Sequence, residues 1–238
     1  GPALLVYLLL ARALRLKQVV VSHITMRHGL LMEMAGGGGW TDDFWQKILW
    51  SAVEVGHKFH FDETHAAHVA ELARTLFHAL GGEHRLASRH ELLLTVAALL
   101  HDIGLFISSS NHHKHSTYLI QNSELFGLSA DDVFLVSQIA RYHRRASPKP
   151  NHADYMSLPR EDRLAVSQMA AILRVADALD VSHSQRIQDI SGQREEDRFV
   201  IGVPDLEDLS LEQMALKQKG SMFEDVYGMS VVLRKQHL

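Results

Sequence analysis

The chain has 238 residues, 46% of them hydrophobic and 22% charged, with a formal net charge of -4 when histidine is neutral. That length can bury a real core and suits one large domain or one domain with a small companion, and the charge excludes the global basic field that nucleic acid attracts. There is no cysteine, so disulfides and thiolate metal sites are excluded and the cytoplasm is the expected compartment, while the 17 histidines are scattered rather than gathered in one tract.

Residues 3–15 read as a helix, apolar up to Leu10 and then punctuated by Arg12 and Arg15. The apolar part is too short to span a bilayer and has no basic segment before it, so no membrane association and no leader are expected. Residues 18–26 (QVVVSHITM) read as a strand, and 27–34 as a turn or short strand. Four consecutive glycines at 36–39 form the best boundary in the chain, because glycine holds a single backbone state at high entropic cost.

Beyond that joint the apolar period becomes helical. A helix is expected from the Thr41-Asp42-Asp43 start signal to about Phe59, and another over 63–80, capped by Asp62 or Thr64 and stopped by Gly81-Gly82. The third runs from Ser88 to about Ile103, and its VAALL stretch is apolar all round and should be deeply buried. Helices over 113–125 and 129–144 follow, then Pro148 and Pro150, then a long helix opened by Pro159 and running to about Val181. Past Gly192, RFVIGV (198–203) and SVVLRK (230–235) read as strands flanking a helix over 209–227, a small β-α-β unit. No internal repeat is present. The fold class is mainly α: a helical bundle over about 40–190, with a short α/β segment before it (1–35) and a small α+β unit after it (191–238). Trp40, Trp45 and Trp50 are expected to serve core and domain-interface packing.

The chemistry is carried by His and Asp residues on strongly apolar helices. His65 lies early on one helix (ETHAAHVAELA), His101-Asp102 end another (LLHDIG), His143 ends a later one (RYHRR), and Asp177 lies within the long one (LRVADALD). Burying such groups unpaired costs several kcal/mol, so they must be paired with one another or hold an ion. At a helix end both His101 and Asp102 can turn toward one ion between facing helices. Imidazole and carboxylate suit Zn, Mn, Fe or Mg, and without thiolates nothing favours Zn in particular.

This ordered set resembles the H…HD…D pattern of the HD superfamily of metal-dependent phosphohydrolases. More narrowly, LLHDIGLFISSSNHHKHSTYLIQNSELFGLS, RYHRR and AAILRVADALD resemble the helical C-terminal domain of the exopolyphosphatase / guanosine pentaphosphate phosphatase (Ppx/GppA) family, over about residues 3–235. The first 35 residues then resemble the end of that family's actin-like phosphatase domain, whose Gly-rich phosphate loops and acidic residue are not found here. The chain is therefore expected to be a piece of a longer protein, with Gly1-Pro2 as a scar of processing.

The resemblance implies a core ligand set of His65, His101, Asp102 and Asp177. His115 and His143 complete a two-ion site, with His112 and His113 competing for the place of His115. One or two divalent ions are expected, with Asp102 bridging the pair where there are two, to activate water and clamp a phosphoryl group. His101, Asp102 and Arg144 are the expected catalytic residues, and Lys114, Arg144 and Arg145 the expected phosphate contacts. Some HD enzymes have a lysine after HDIG; Leu105 stands there instead. Asp180 is expected to support the site from one turn away, and His68 to face solvent or a neighbour. His57, His60, His78, His84, His90, His152, His183 and His237 are expected on the surface. The implied partner is a phosphate-containing small molecule or polyphosphate, without sequence-specific nucleic acid, in a homodimer. A second reading is a non-catalytic regulatory and dimerisation module that helps bind polyphosphate for the missing domain.

Overall fold

A computed structural model of the chain describes residues 12–13, 42–144, 146–204 and 208–236. The chain divides into two compact units, Gly1–Trp40 and Thr41–Leu238, and the second is described below. Apart from the helical Arg12 and Ala13, the expectations for 3–34, the glycine joint and Trp40 lie outside the described residues, as do Arg145 and His237.

The second unit begins with α1 (Asp42–Lys58), whose first turn carries Asp42 and Asp43 against the positive end of the helix dipole. α2 (Glu63–Ala79) is capped by Asp62, whose Oδ1 accepts from His65 N at 3.1 Å. That cap sets the phase of the first turn and so the direction of His65. α3 (Ser88–Leu100) is the hub. Every residue from Leu92 to Leu100 is buried, and α1, α2, α5 and α7 all pack on it. Because α3 is surrounded, its C-terminal end is delivered to the middle of the bundle.

After α3 the chain makes a 3-10 turn (Ile103–Phe106), then α4 (His112–Gln121) and α5 (Ala130–Arg141). The expected start signal at Ser129 is a full capping box: Ser129 Oγ accepts from Asp132 N at 3.1 Å, and Asp132 Oδ2 accepts from Ser129 N at 3.0 Å. Arg89 from α3 ion-pairs with the same buried Asp132. A short α6 (Ala153–Ser157) leads to Pro159, which caps the long α7 (Arg160–Leu179).

The tail holds β1 (Ser191–Glu195), β2 (Arg198–Pro204), α8 (Ser210–Lys219), α9 (Ser221–Tyr227) and β3 (Ser230–Gln236). Strand order is β1-β2-β3, with β1 antiparallel to β2 and β2 parallel to β3 in the register Phe199↔Val231 and Ile201↔Leu233. The fold is thus mainly helical with a small three-stranded sheet at its C-terminal end.

In the tail, two details differ from expectation, and the short α6 of the bundle was not expected either. The helix expected over 209–227 is two helices divided at Gly220, where an added Cβ would press on the Leu216 carbonyl at 2.7 Å. β1 was not expected, since its sequence SGQRE has no apolar alternation and owes its strand to pairing with β2. α8 and α9 pack on α7, which brings the end of α8 to the side of the bundle where Asp177 lies. Trp50 is 67% exposed and belongs to no core within this unit.

Candidate metal centre

The His101-Asp102 turn is held by a clamp from α4. Ser116 Oγ donates to the His101 carbonyl at 2.6 Å and accepts from Gly104 N at 2.9 Å. Gly104 permits this: a Cβ there would collide with the His112 carbonyl and with Ser116 N. The glycine of the HDIG motif is therefore a site of close backbone approach, and it sets how near the start of α4 lies to Asp102.

That register decides which histidine meets Asp102. His112 Nε2 lies 3.2 Å and His143 Nε2 3.3 Å from Asp102 Oδ1, and the two nitrogens are 3.1 Å apart. His115 is half-buried and joins no such group, so the geometry brings His112 to the place expected for His115. The helix begins at His112, one residue before the expected start.

The tautomers follow from the other ring nitrogens. His143 Nδ1 donates to the Ala140 carbonyl at 2.6 Å, His101 Nδ1 to the Ala98 carbonyl at 2.6 Å, and His112 Nδ1 to the Ser109 carbonyl at 3.2 Å. His65 Nδ1 donates to Asp180 Oδ2 at 2.8 Å. In their neutral forms all four rings then turn an unprotonated Nε2 inward. Backbone carbonyls and carboxylates fix the tautomer of metal-binding histidines in this way. The Nε2 atoms of His65 and His101 are buried without a hydrogen-bond partner. Lone pairs facing lone pairs repel, so this arrangement calls for a positive charge, supplied by a proton or by a metal ion.

Three overlapping groups could each hold an ion: His65, His101 and Asp177; Asp102, His112 and His143; and, at the exposed edge, His65, Asp102 and His183. Asp102 stands between the first two, since its Oδ2 is 3.6 Å from His101 Nε2. The electrostatics agree. Burial holds His101 neutral, pushed down to about 4. Burial works to raise the Asp102 carboxyl, but His101, His112 and His143 around it hold it well below the usual carboxylate range. The hydrogen bond to Asp102 raises His112, and although burial works to lower His65, the hydrogen bond to Asp180 and the nearby carboxylates raise it.

Three residues outside the expected set belong to the surroundings. Asp180 ends α7 and accepts from His65 Nδ1 and from Gln185 N at 2.8 Å, so it orients His65 as expected. His183 stacks on His65, with centroids 3.6 Å apart and an interplanar angle of 7°, and its Nδ1 donates to Asp62 at 2.9 Å. Lys219, at the end of α8, ion-pairs with Asp177 Oδ2. Asp177 Oδ1 lies 3.8 Å from His65 Nε2. No local pattern announced Lys219 or His183: both reach the site through the tertiary fold.

The expected phosphate contacts are divided. Arg144 is half-buried directly after His143, and its charge is felt at His112. Lys114 is exposed on α4. Among the histidines expected on the surface, His84 is buried and donates from Nε2 to the Phe77 carbonyl at 2.9 Å. The buried Arg174 of α7 holds the end of α5 in place, donating to the Tyr142 carbonyl at 2.7 Å and the Ala146 carbonyl at 2.6 Å. His143 sits inside that brace. Among the described residues no helix is long and apolar enough to cross a membrane.

A family model described as "Ppx/GppA phosphatase, domain III" matches residues 50–220. Among curated proteins the chain is similar to a guanosine-5'-triphosphate,3'-diphosphate pyrophosphatase of Pseudoalteromonas translucida, at 34% identity over 37% of this chain and 18% of that protein. The protein of the same name from Vibrio campbellii is 29% identical over 63% of this chain and 28% of its own length. That from Pseudoalteromonas atlantica is 27% identical over 72% and 34% respectively. The chain thus spans about a third or less of the length of these relatives.

Proposed function

The chain belongs to the Ppx/GppA phosphatase family, and we propose that its helical bundle is an HD-type, metal-dependent phosphohydrolase domain centred on His65, His101, Asp102, His112, His143 and Asp177. The observation that carries this reading is the convergence of four imidazole Nε2 atoms, each with its Nδ1 side turned to an acceptor, on the buried Asp177 and the half-buried Asp102. A donor set of neutral imidazoles and ionised carboxylates fits divalent ions of the Mn, Fe, Mg or Zn type. Bound there, such ions would supply Lewis-acid polarisation of a phosphoryl oxygen and a nucleophilic water at neutral pH.

The chain's own groups do the rest. Asp180 and the three backbone carbonyls hold the rings in one tautomer. Arg144, with Lys114 on α4, would neutralise charge on phosphoryl oxygens, and Arg145 is proposed for the same role from the sequence alone. The substrate class is a phosphate ester or anhydride. The name of these relatives specifies a guanosine nucleotide, and polyphosphate is the other member of the class that the family name suggests. In this reading residues 1–35 end an actin-like phosphatase domain, 40–190 form the metal-binding bundle and 191–238 complete it.

One observation favours a second reading. Lys219 already supplies Asp177 with a cation, which would suit a non-catalytic module that dimerises and helps bind polyphosphate for an actin-like domain. Phosphate release separates the two. Protein loaded with Mn should hydrolyse members of a panel of nucleotides, phosphate monoesters and short polyphosphates, with activity lost on chelation and in Asp102→Ala. Stoichiometric metal with no turnover on any member of the panel would leave the second reading standing instead.

A further inference from the structure

The metal-binding groups do not lie at the bottom of a simple basic groove. Beside them is a pocket of about 230 Å³ in which His65 and Asp102 form one wall. Phe59, Phe61, Leu105, Phe106 and His183 are among the rest of its lining. Phe106 is 55% exposed and Leu105 45% exposed, although both lie in the turn that follows the buried His101. Phe106 meets Phe59 edge-on at 5.7 Å, which fixes the attitude of its ring while leaving much of it open. Solvent-facing aromatic surface next to a polar, ion-seeking cluster marks a ligand site more often than a packing fault.

The charge of the lining narrows the ligand. Among the described residues that line the pocket there is no Lys or Arg, while Asp62 and Asp102 are acidic. Lys58 lies outside it, over the Phe59 ring at 5.5 Å. A chain of phosphates needs cations along its length, and this pocket would repel it. A flat, uncharged ring meets the opposite conditions: aromatic walls to stack against and a carboxylate and imidazoles at the edges to meet its polar atoms. The volume is below the roughly 300–1,000 Å³ of sites that enclose a whole drug-sized ligand, so one ring system fits and the remainder must lie outside.

We infer that this pocket holds the base of a nucleoside monophosphate whose phosphate rests on the His/Asp cluster. The inference builds on the proposed metal centre and goes beyond it by choosing a nucleotide over a polyphosphate as the ligand of this domain.

Calorimetric titration of the Mn-loaded protein tests it, with bound metal counted separately. The probes are guanosine and adenosine monophosphate, ribose 5-phosphate and tripolyphosphate. At least one nucleoside monophosphate should bind about tenfold more tightly than ribose 5-phosphate, and that margin should vanish in Phe106→Ala, since stacking of one base on an aromatic ring contributes about one decade in affinity. Phe106 is exposed, so this variant should fold. Equal affinity for ribose 5-phosphate and both nucleotides, or a preference for tripolyphosphate, would overturn the pocket assignment while leaving the metal centre intact. If the protein retains no metal, adenosine and guanosine without phosphate become the probes: binding lost in Phe106→Ala supports the pocket, and no binding overturns it.

Discussion

In one half of the cluster His65, His101 and Asp177 meet a lysine; in the other, Asp102, His112 and His143 meet one another. Lys219 balances Asp177. Among the described residues Asp102 has ion-pair contacts with histidines alone. The halves share side-chain chemistry and differ in whether the fold itself delivers the compensating charge. Burial of an ion is tolerated when its partner is in place and is costly when it is not. The Asp177 half can therefore stand without a metal, whereas the Asp102 half needs a proton or a metal ion.

The largest effect expected is from Gly104→Val. The added side chain cannot coexist with the His112 carbonyl and Ser116 N. Either α4 moves away, abolishing the Asp102 half, or the domain fails to fold. The milder Ser116→Ala removes the two clamp bonds at 2.6 and 2.9 Å without the clash. It should cost about 2 kcal/mol in denaturant unfolding and weaken metal binding in the Asp102 half first. Unchanged stability in Ser116→Ala would show that the clamp is not what holds the turn.

Lys219→Met should break the Asp177 half in a metal-free protein and should be repaired by metal. Removing one partner of a buried ion pair costs about 3 kcal/mol, so the melting temperature without metal should fall. The rise on adding Mn should then exceed the rise in the parent, because the ion takes over the charge that the lysine supplied. Equal rises in both proteins would show that Lys219 and a metal do not share Asp177.

Two adjacent histidines sharpen the comparison through pH. His113 has its Nδ1 buried without a partner, and burial pushes it down to about 4 from 6.5. The unfolded chain then takes up a proton that the folded one refuses, so the stability of the parent relative to His113→Gln should fall as pH drops from about 6.5 to about 4. His112 is shifted the other way by Asp102. In chelated protein the advantage of the parent over His112→Gln should be complete below the ordinary histidine pKa and be lost as pH rises through the raised value. Parallel slopes in urea titrations of the two variants would contradict the charge balance described for the Asp102 half.

Much of this arrangement was legible in the sequence, for identifiable reasons. The helices of the bundle have strong apolar periodicity and explicit caps, as at Asp62 and Ser129, so their order and faces could be read locally. His65, His101, Asp102 and Asp177 stood out because each is a polar residue on a helix with no room for one. His112 did not, because two further histidines follow it at once, and the choice among them depends on the contact between Gly104 and Ser116, twelve residues apart. Lys219 lies on a different element from its partner 42 residues away, and His183 takes a positive φ of 53° in an irregular turn. Neither position carries a period or a motif. Residues that act through register or across the tertiary fold leave no mark at fixed spacing.

The central claim is that the fold presents a metal-binding centre built on Asp102. Elemental mass spectrometry of the protein after incubation with Mn, Fe and Zn and removal of excess ion tests it most directly, with Asp102→Ala beside the parent. The account predicts about two equivalents of metal in the parent and a loss of at least one in the variant. No bound metal in the parent under any of the three ions, or the same content in both proteins, would contradict it.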